Sequence, residues 1–284
     1  MPDFGIFRGF NEKLFGDKLY SGQLPTQLGL IGSSDFGTDP DAQAFFDRVT
    51  AAGGTLSATE KTAVDTLVKQ MKLDGIWTKM KAIYPLVGAS AAACAQNLKS
   101  SSFTGTFTSG WTFASTGVKG NGSSAYMDTT LLPSTQLSLN STHLSFYSRT
   151  NAASDSTADL GSFGTNSNWC LIEVFGNVLY NLINQSTIAS VSMTTTLGHF
   201  IASRRGATDS EAYRNGASVA TFATSSNALS DRTILLGAMN NTVPQYYSNR
   251  EYAFASIGDG LTDTEASDFY DAVQAFNTTL SRQV

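Results

Sequence analysis

The strand-like segment Trp169–Phe175 carries the residue best suited to acid–base chemistry, Glu173. Side chains two residues apart share one face of a strand. The face that carries Glu173 therefore also carries Trp169, Leu171 and Phe175. A carboxylate beside an indole ring could serve glycoside hydrolysis, but the retaining mechanism needs a second carboxylate about 5–5.5 Å away. No strand with a Glu-x-Asp-x-x-Glu or similar pattern supplies one, so the sequence predicts no catalytic residue and no enzyme.

A structural ion pair is the favoured role for Glu173, with an arginine such as Arg149 or Arg204 as its partner. The aromatic residues allow a second interpretation, because one or two of them could form a stacking surface for sugar rings while the rest pack in a core. The predicted ligand face consists of Trp169, Glu173, Tyr246 and Tyr247.

Candidate metal ligands are sparse. His143 and His199 each begin a predicted strand and have no His, Cys or carboxylate at ligand spacing, which indicates strand-edge residues. Four aspartates fall in predicted turns, where carboxylate and carbonyl oxygens can bind Ca²⁺, although turn chemistry explains each of them without a metal. They are Asp128, Asp155, Asp159 and Asp259. We expect no metal site and no cofactor, with Ca²⁺ as the alternative.

Two further patterns have structural explanations. Residues 120–125 match G-x-G-x-x-A but precede a strand instead of a helix, so they indicate a hairpin turn and not a dinucleotide site. Cys94 and Cys170 lack C-x-x-C or Cys/His spacing, which favours two buried free thiols.

Helix signals are concentrated in residues 38–99, which we interpret as a small helical module. Asp39-Pro40 opens a first helix that Gly53-Gly54 ends. Ser57 and Glu60 form a capping box for a second helix, which stops by Gly75. A shorter helix is predicted from Ile76 to about Tyr84, where Pro85 ends it.

Residues 100–284 show short β-branched and aromatic runs between Gly, Asn, Ser and Asp clusters. This texture predicts a mainly β fold, an antiparallel sandwich or jelly roll. The candidate strands are 103–108, 124–128, 143–150, 158–163, 169–175, 178–183, 187–192, 198–205, 210–215, 217–222, 232–237 and 250–257. Asn215-Gly216 predicts a type I′ hairpin. A capping box of Thr262 and Glu265 opens a last amphipathic helix, predicted over 262–281.

The composition disfavours several classes of partner. Only 14% of the 284 residues are charged, and the net charge of −5 arises in residues 100–284, with eight Lys or Arg against thirteen Asp or Glu. Nucleic-acid binding needs clustered basic residues, so we expect none. No run reaches the roughly 18 apolar residues of a membrane span, and no signal peptide is evident. These features predict a soluble protein made in the cytoplasm, without membrane insertion.

The first 37 residues combine many large apolar side chains with many glycines, a pattern that cannot form a stable unit alone. We interpret residues 1–37 as an attachment segment that is ordered against a partner or against the body of the protein. The predicted attachment residues are Phe4, Ile6, Phe7, Phe10, Leu14 and Phe15.

Three blocks carry a resemblance to a class of bacteriophage virion proteins. They are Trp77–Gly88, Leu139–Ser145 and Phe254–Val284. In addition, Ile234–Met239, Tyr246-Tyr247 and the strand around Tyr252 resemble the closing strands of laminin G-like and concanavalin A-like jelly rolls. The resemblance spans residues 38–284 and contains no catalytic motif.

The resemblance implies a non-enzymatic structural protein of the virion, assembled in the host cytoplasm and exposed on a tail, baseplate or fibre. Residues 1–37 would then dock onto other virion proteins, 38–99 would form the helical module, and 100–284 would present a lectin-like sandwich. A homo-oligomer and a host-surface glycan are further expected partners. The alternatives are a head fibre or capsid-decorating protein, a glycan-binding module and a polysaccharide-degrading enzyme.

Overall fold

The computed structural model describes residues 37–152 and 157–284. The chain divides into two compact units, Met1–Gly37 and Thr38–Val284, and the second unit is described here. The predicted attachment residues lie outside the described residues. They are Phe4, Ile6, Phe7, Phe10, Leu14 and Phe15.

The described residues form five α-helices. They are α1 (Pro40–Ala51), α2 (Ala58–Leu73), α3 (Ala91–Cys94), α4 (Pro133–Gln136) and α5 (Asp263–Thr279). Three of these five, α1, α2 and α5, begin at the predicted caps. Asp39 accepts a hydrogen bond from the backbone N–H of Asp41 at 2.9 Å. Reciprocal capping boxes open α2 and α5, so both predicted boxes are confirmed.

The strands of the described residues form two sheets. In chain order they are β1 (Met80–Tyr84), β2 (Thr106–Phe107), β3 (Thr112–Ala114), β4 (Gly117–Lys119), β5 (Met127–Asp128), β6 (Thr142–Ser148), β7 (Leu160–Phe163), β8 (Trp169–Phe175), β9 (Val178–Gln185), β10 (Ser190–Ser192), β11 (Gly198–Arg204), β12 (Ser210–Arg214), β13 (Ala217–Phe222), β14 (Leu235–Leu236), β15 (Met239–Asn241), β16 (Val243–Gln245) and β17 (Glu251–Gly258). Sheet A has the order β13-β12-β11-β6-β17-β4-β3, with β1 also on β17. Sheet B has the order β10-β9-β8-β7-β14-β5-β2, with β15 and β16 attached beside β7.

The two sheets stack into the predicted β-sandwich. All strand pairs are antiparallel except β15 with β7, within the part of the chain that the structure describes. Between the sheets, Phe146 of β6 stacks on Phe200 of β11 with ring centroids 5.3 Å apart, and Ile172 of β8 packs into the same core. Each such buried side chain contributes roughly 1.5–3 kcal/mol to stability. The mainly β, antiparallel sandwich class is therefore confirmed.

Helices α1, α2 and α5 cover the outer face of sheet A with a second hydrophobic core. Phe269 of α5 packs against Phe254 of β17, with ring centroids 5.9 Å apart. Phe45 of α1 and Leu67 of α2 are buried in the same cluster. The fold therefore has three layers, helices, sheet A and sheet B, with no helix among the described residues on the outer face of sheet B.

Residues 76–84 correct one prediction, because they form a short 3₁₀ turn, Trp77–Lys79, followed by strand β1 instead of a helix. Strand β1 pairs with β17 of sheet A, and the backbone N–H of Ile83 donates to Asn97 Oδ1 at 2.9 Å. The pairing with a distant strand outweighs the local helical pattern.

Two hairpins differ in how well the sequence predicts them. The Asn215-Gly216 turn joins β12 to β13 with φ angles of 50° and 74°, as a type I′ turn requires. The hairpin of β15 and β16 was not predicted, since each strand has only three residues and the turn rests on Thr242 at a φ of 56°. This second hairpin contributes to the groove described next.

Candidate functional site

A groove lies on the outer face of sheet B. Alternate residues of β8 face opposite sides of the sheet, and Cys170, Ile172 and Val174 pack into the sandwich core. Trp169 and Glu173 therefore face outward, away from sheet A. This is the side of the sheet that no helix of the described residues covers.

The groove has a volume of about 450 Å³ and is mainly apolar. Its walls come from β7, β8 and β9, the loop after β9, and the hairpin of β15 and β16 with the residue that follows it. The lining residues are Thr157, Phe163, Trp169, Leu171, Glu173, Phe175, Tyr180, Leu182, Ile188, Met239, Asn241, Gln245 and Tyr246.

Aromatic rings form two neighbouring groups in the groove. Phe163 and Trp169 meet with centroids 5.1 Å apart and planes at 41°, and Phe175 and Tyr180 meet at 6.4 Å and 44°. Tyr246 stands at the rim with 52% of its surface exposed. These rings offer both faces and edges to a ligand in the groove.

Exposed apolar surface is concentrated at this groove. Six large hydrophobic side chains are exposed among the described residues, and three of them line it. Those three are Phe175, Ile188 and Tyr246. Because a soluble domain rarely gathers exposed apolar groups in one concave patch without a ligand, the groove is the candidate binding site.

Glu173 is the one ionisable carboxylate that the structure places among the described lining residues. It lies opposite Tyr180 in the β8–β9 pairing. Burial, with a smaller contribution from the negative charge of Asp159, raises the pKa of Glu173 to about 8, although Arg250 acts in the opposite direction. The carboxyl group is therefore largely protonated at neutral pH and can donate a hydrogen bond.

Neither arginine expected to pair with Glu173 does so, which corrects that prediction. Arg149 lies 3.9 Å from Glu251 Oε1 instead. The buried side chain of Arg204 donates from Nε to the carbonyl of Ile183 at 2.6 Å, and its other donors also bind oxygens that are not carboxylates. Strand-level reasoning from the sequence could not assign these partners, because they depend on how distant strands pair.

A fully buried ion pair of Asp159 and Arg250 lies close enough to influence Glu173. Arg250 Nη1 is 2.9 Å from both carboxylate oxygens of Asp159, and Arg250 Nη2 donates to the carbonyl of Val174 at 2.6 Å. Asp159 also accepts hydrogen bonds from Tyr252 OH at 2.7 Å and from the backbone N–H of Val174 at 2.8 Å. With these donors engaged, Asp159 is not available as a second carboxylate for hydrolysis.

The structure brings together three of the four residues of the predicted ligand face. Trp169, Glu173 and Tyr246 line the groove. Tyr247 lies outside the lining set and packs against Tyr126, with ring centroids 6.4 Å apart. Sequence reasoning missed Tyr180, although period-two alternation along 178–183 could have placed it on the face opposite Leu179.

The two histidines are fully buried beneath α5, which corrects the expectation of strand-edge positions. His143 Nε2 lies 3.0 Å from Ser256 Oγ, and His199 Nε2 lies 3.2 Å from Ser145 Oγ. The two hydroxyls are 2.7 Å apart and complete a buried chain. Burial lowers the pKa of His143 to about 4 and that of His199 to about 3, so both rings are neutral above pH 5.

The turn aspartates have protein partners where the structure describes them. Asp128 accepts from the backbone N–H of Thr130 at 2.8 Å, and Asp259 lies 3.7 Å from Lys81 Nζ. Asp155 lies outside the described residues. Within residues 37–152 and 157–284, no group of three His, Cys, Asp or Glu side chains could hold a metal ion.

Both cysteines are buried free thiols, and burial raises the pKa of Cys94 and of Cys170 to about 12. None of the helices in the described part of the chain has the length and hydropathy to cross a bilayer.

No protein-family model and no curated protein matches the sequence. Solved structures with some similarity to this one include a domain of an arabinanase, a neurotoxin binding domain and a sialidase. Domain 4 of AbnA, a GH43 extracellular arabinanase from Geobacillus stearothermophilus solved with arabinotriose, has 16% identity and a TM-score of 0.47, over 67% of this chain and 98% of that one. The binding domain of botulinum neurotoxin serotype D has 12% identity and a TM-score of 0.46, over 69% of this chain and 52% of that one.

The NanB sialidase of Streptococcus pneumoniae has 16% identity and a TM-score of 0.38, over 45% of this chain and 23% of that one. This chain thus spans about half of the neurotoxin domain and about a quarter of the sialidase. Because all three TM-scores are below 0.5, the function of this chain is not inferred from these structures.

Proposed function

We propose that this protein is a glycan-binding module that holds its ligand in the groove on the outer face of sheet B. The observation that carries the proposal is the convergence of Phe175, Ile188 and Tyr246, all exposed, on one concave patch. A groove of about 450 Å³ lies within the usual range for small-ligand sites, roughly 300–1,000 Å³.

The chemistry of the lining suits a sugar. A pyranose ring presents C–H groups on its faces and hydroxyls at its edge, so it can stack on an aromatic ring while its hydroxyls form hydrogen bonds. Trp169 and Tyr246 supply aromatic surface, and Asn241 and Gln245 supply donors and acceptors at the hairpin. A small number of polar groups in a mainly apolar groove is enough to fix the orientation of a ligand.

Binding is favoured over hydrolysis because the described lining residues supply one carboxylate, Glu173, and the mechanism of most glycosidases needs two. The neighbouring carboxylate, Asp159, is held in its ion pair with Arg250. We therefore propose a non-enzymatic role.

A place in a phage virion, on a tail, baseplate or fibre or on the head, remains a prediction from the sequence resemblance. Its attachment residues lie outside the described residues. A glycan-binding groove is compatible with that role, since a particle that attaches to a host surface needs such contacts. Assembly in the host cytoplasm and homo-oligomer formation likewise remain predictions.

Substitution of groove aromatics tests the glycan proposal. On an array of oligosaccharides we expect binding to one group of related glycans, and Trp169→Ala and Tyr246→Ala are each expected to weaken it by at least about tenfold, since stacked aromatics are typical binding hot spots. The matched control is Tyr247→Ala, which removes the same side chain from the next position, outside the groove. It is expected to retain wild-type affinity.

Two outcomes contradict the proposal. The first is an array on which the wild-type protein binds no glycan. The second is a bound glycan whose affinity is unchanged in both Trp169→Ala and Tyr246→Ala while melting temperatures show that the variants are folded.

A further inference from the structure

The charge pattern of the groove indicates what kind of glycan it holds. Among the described lining residues Glu173 carries the one carboxyl group, and none is Lys, Arg or His. The nearby cation, Arg250, is fully buried, and it donates to Asp159, to Thr157 Oγ1 at 3.1 Å and to backbone carbonyls. An acidic sugar would therefore meet a carboxyl group without any cation to balance it.

The aromatic rings add to this preference. A cation near the face of an aromatic ring is attracted to the negative charge of its π system, and the attraction grows where water is excluded. Tyr180 lies directly opposite Glu173 across the strand pair, and Phe175 packs against Tyr180. A carboxylate beside such rings is the arrangement that binds an organic ammonium group.

We infer that the glycan bound in this groove carries an ammonium group, as an amino sugar does, and that Glu173 is the residue that selects it. This inference rests on the proposed function and specifies its ligand class. An ammonium group beside Glu173 would pair with its carboxylate once the proton is released, and Glu173 has no salt-bridge partner in the described structure.

Proton release on binding distinguishes an ammonium group that pairs with Glu173 from a neutral sugar that only stacks on the aromatic rings. The pKa of Glu173 is raised to about 8, so at pH 6.5 the empty groove holds a protonated carboxyl group. Binding of an ammonium group requires the ionised form and must therefore release about one proton. A neutral sugar that accepts a hydrogen bond from the protonated group would release none.

Isothermal titration calorimetry at pH 6.5, in buffers of different ionisation enthalpy, tests this. The probes are a glucosamine trisaccharide, an N-acetylglucosamine trisaccharide and choline. We expect the glucosamine trisaccharide to bind at least about tenfold more tightly than the acetylated one and to release about one proton. Glu173→Gln should abolish both the preference and the proton release, while Asp271→Asn, which removes an exposed negative charge on α5, should preserve them.

The same measurements distinguish failure of the amino-sugar inference from failure of the glycan-binding proposal. If the acetylated trisaccharide binds as tightly as the glucosamine form, and Glu173→Gln changes nothing, the inference is overturned and the glycan proposal stands. If neither trisaccharide binds and the array is also blank, the proposed function itself fails. Choline binding as tightly as the glucosamine trisaccharide would overturn the inference in favour of a quaternary ammonium ligand.

Discussion

Replacement of Arg250 by methionine is expected to lower the free energy of unfolding by about 3–5 kcal/mol, because it leaves the fully buried carboxylate of Asp159 without its cation. The same change removes hydrogen bonds to the carbonyls of Val174 and Ala152. Urea denaturation followed by circular dichroism measures the effect.

The matched control is the more exposed pair of Arg205 and Asp209, at 2.9 Å, whose loss in Asp209→Asn should cost less than about 1 kcal/mol. A double variant, Arg250→Met with Asp159→Leu, should recover part of the loss, because replacing a whole buried pair by apolar groups is often neutral. An Arg250→Met variant no less stable than Asp209→Asn would contradict the stabilising role assigned to the buried pair of Asp159 and Arg250.

The free energy of unfolding is expected to rise by about 1.4 kcal/mol per pH unit between pH 5 and 6. The folded pKa values of His143 and His199 are about 4 and about 3, below the ordinary 6.5, so in this range these two histidines together bind about two more protons in the unfolded chain than in the folded chain. Each histidine therefore adds stability that is lost as the pH falls below 6.5. Glu173 has the opposite sign, because its folded pKa of about 8 lies above its ordinary value of 4.5. The two histidines and the oppositely acting Glu173 together leave a net difference of about one proton, which gives the slope of about 1.4 kcal/mol per pH unit.

Single variants separate these contributions. Glu173→Gln should steepen the slope to about 2.8 kcal/mol per pH unit, and His199→Gln should reduce it to about zero. Asp271→Asn, at an exposed site, should leave it unchanged. Chemical denaturation at pH 5.0, 5.5 and 6.0 gives the slopes, and equal slopes in all four proteins would contradict the assignment of these protons.

The fold could be predicted from the sequence where local signals determine the structure. Thr262 and Glu265 begin α5, and Asn215-Gly216 turns β12 into β13, because each requires only neighbouring residues. Residues 76–84 were predicted wrongly, since their strand exists only through pairing with β17. Neither the register of that pairing nor the helical cover of sheet A follows from a local pattern.

The sequence also predicted only the part of the candidate site that depends on local pattern. Period-two alternation correctly placed Trp169 and Glu173 on one face of β8. It could not place Tyr246 beside them, because that position depends on the hairpin of β15 and β16, whose three-residue strands have no clear local signal and pair with each other and with β7. The ion pair of Asp159 and Arg250 joins residues far apart in the chain, so no local sequence pattern predicts it.

The most direct test of the central claim is the indole N–H spectrum of the protein during titration with its best-binding oligosaccharide. The chain has three tryptophans, of which Trp169 lines the groove, while Trp77 packs with the helices and Trp111 packs at the sandwich core. The groove proposal predicts that the Trp169 signal shifts with saturation while the other two stay in place. A saturating glycan that leaves Trp169 unmoved, or that shifts Trp77 or Trp111 instead, would contradict it.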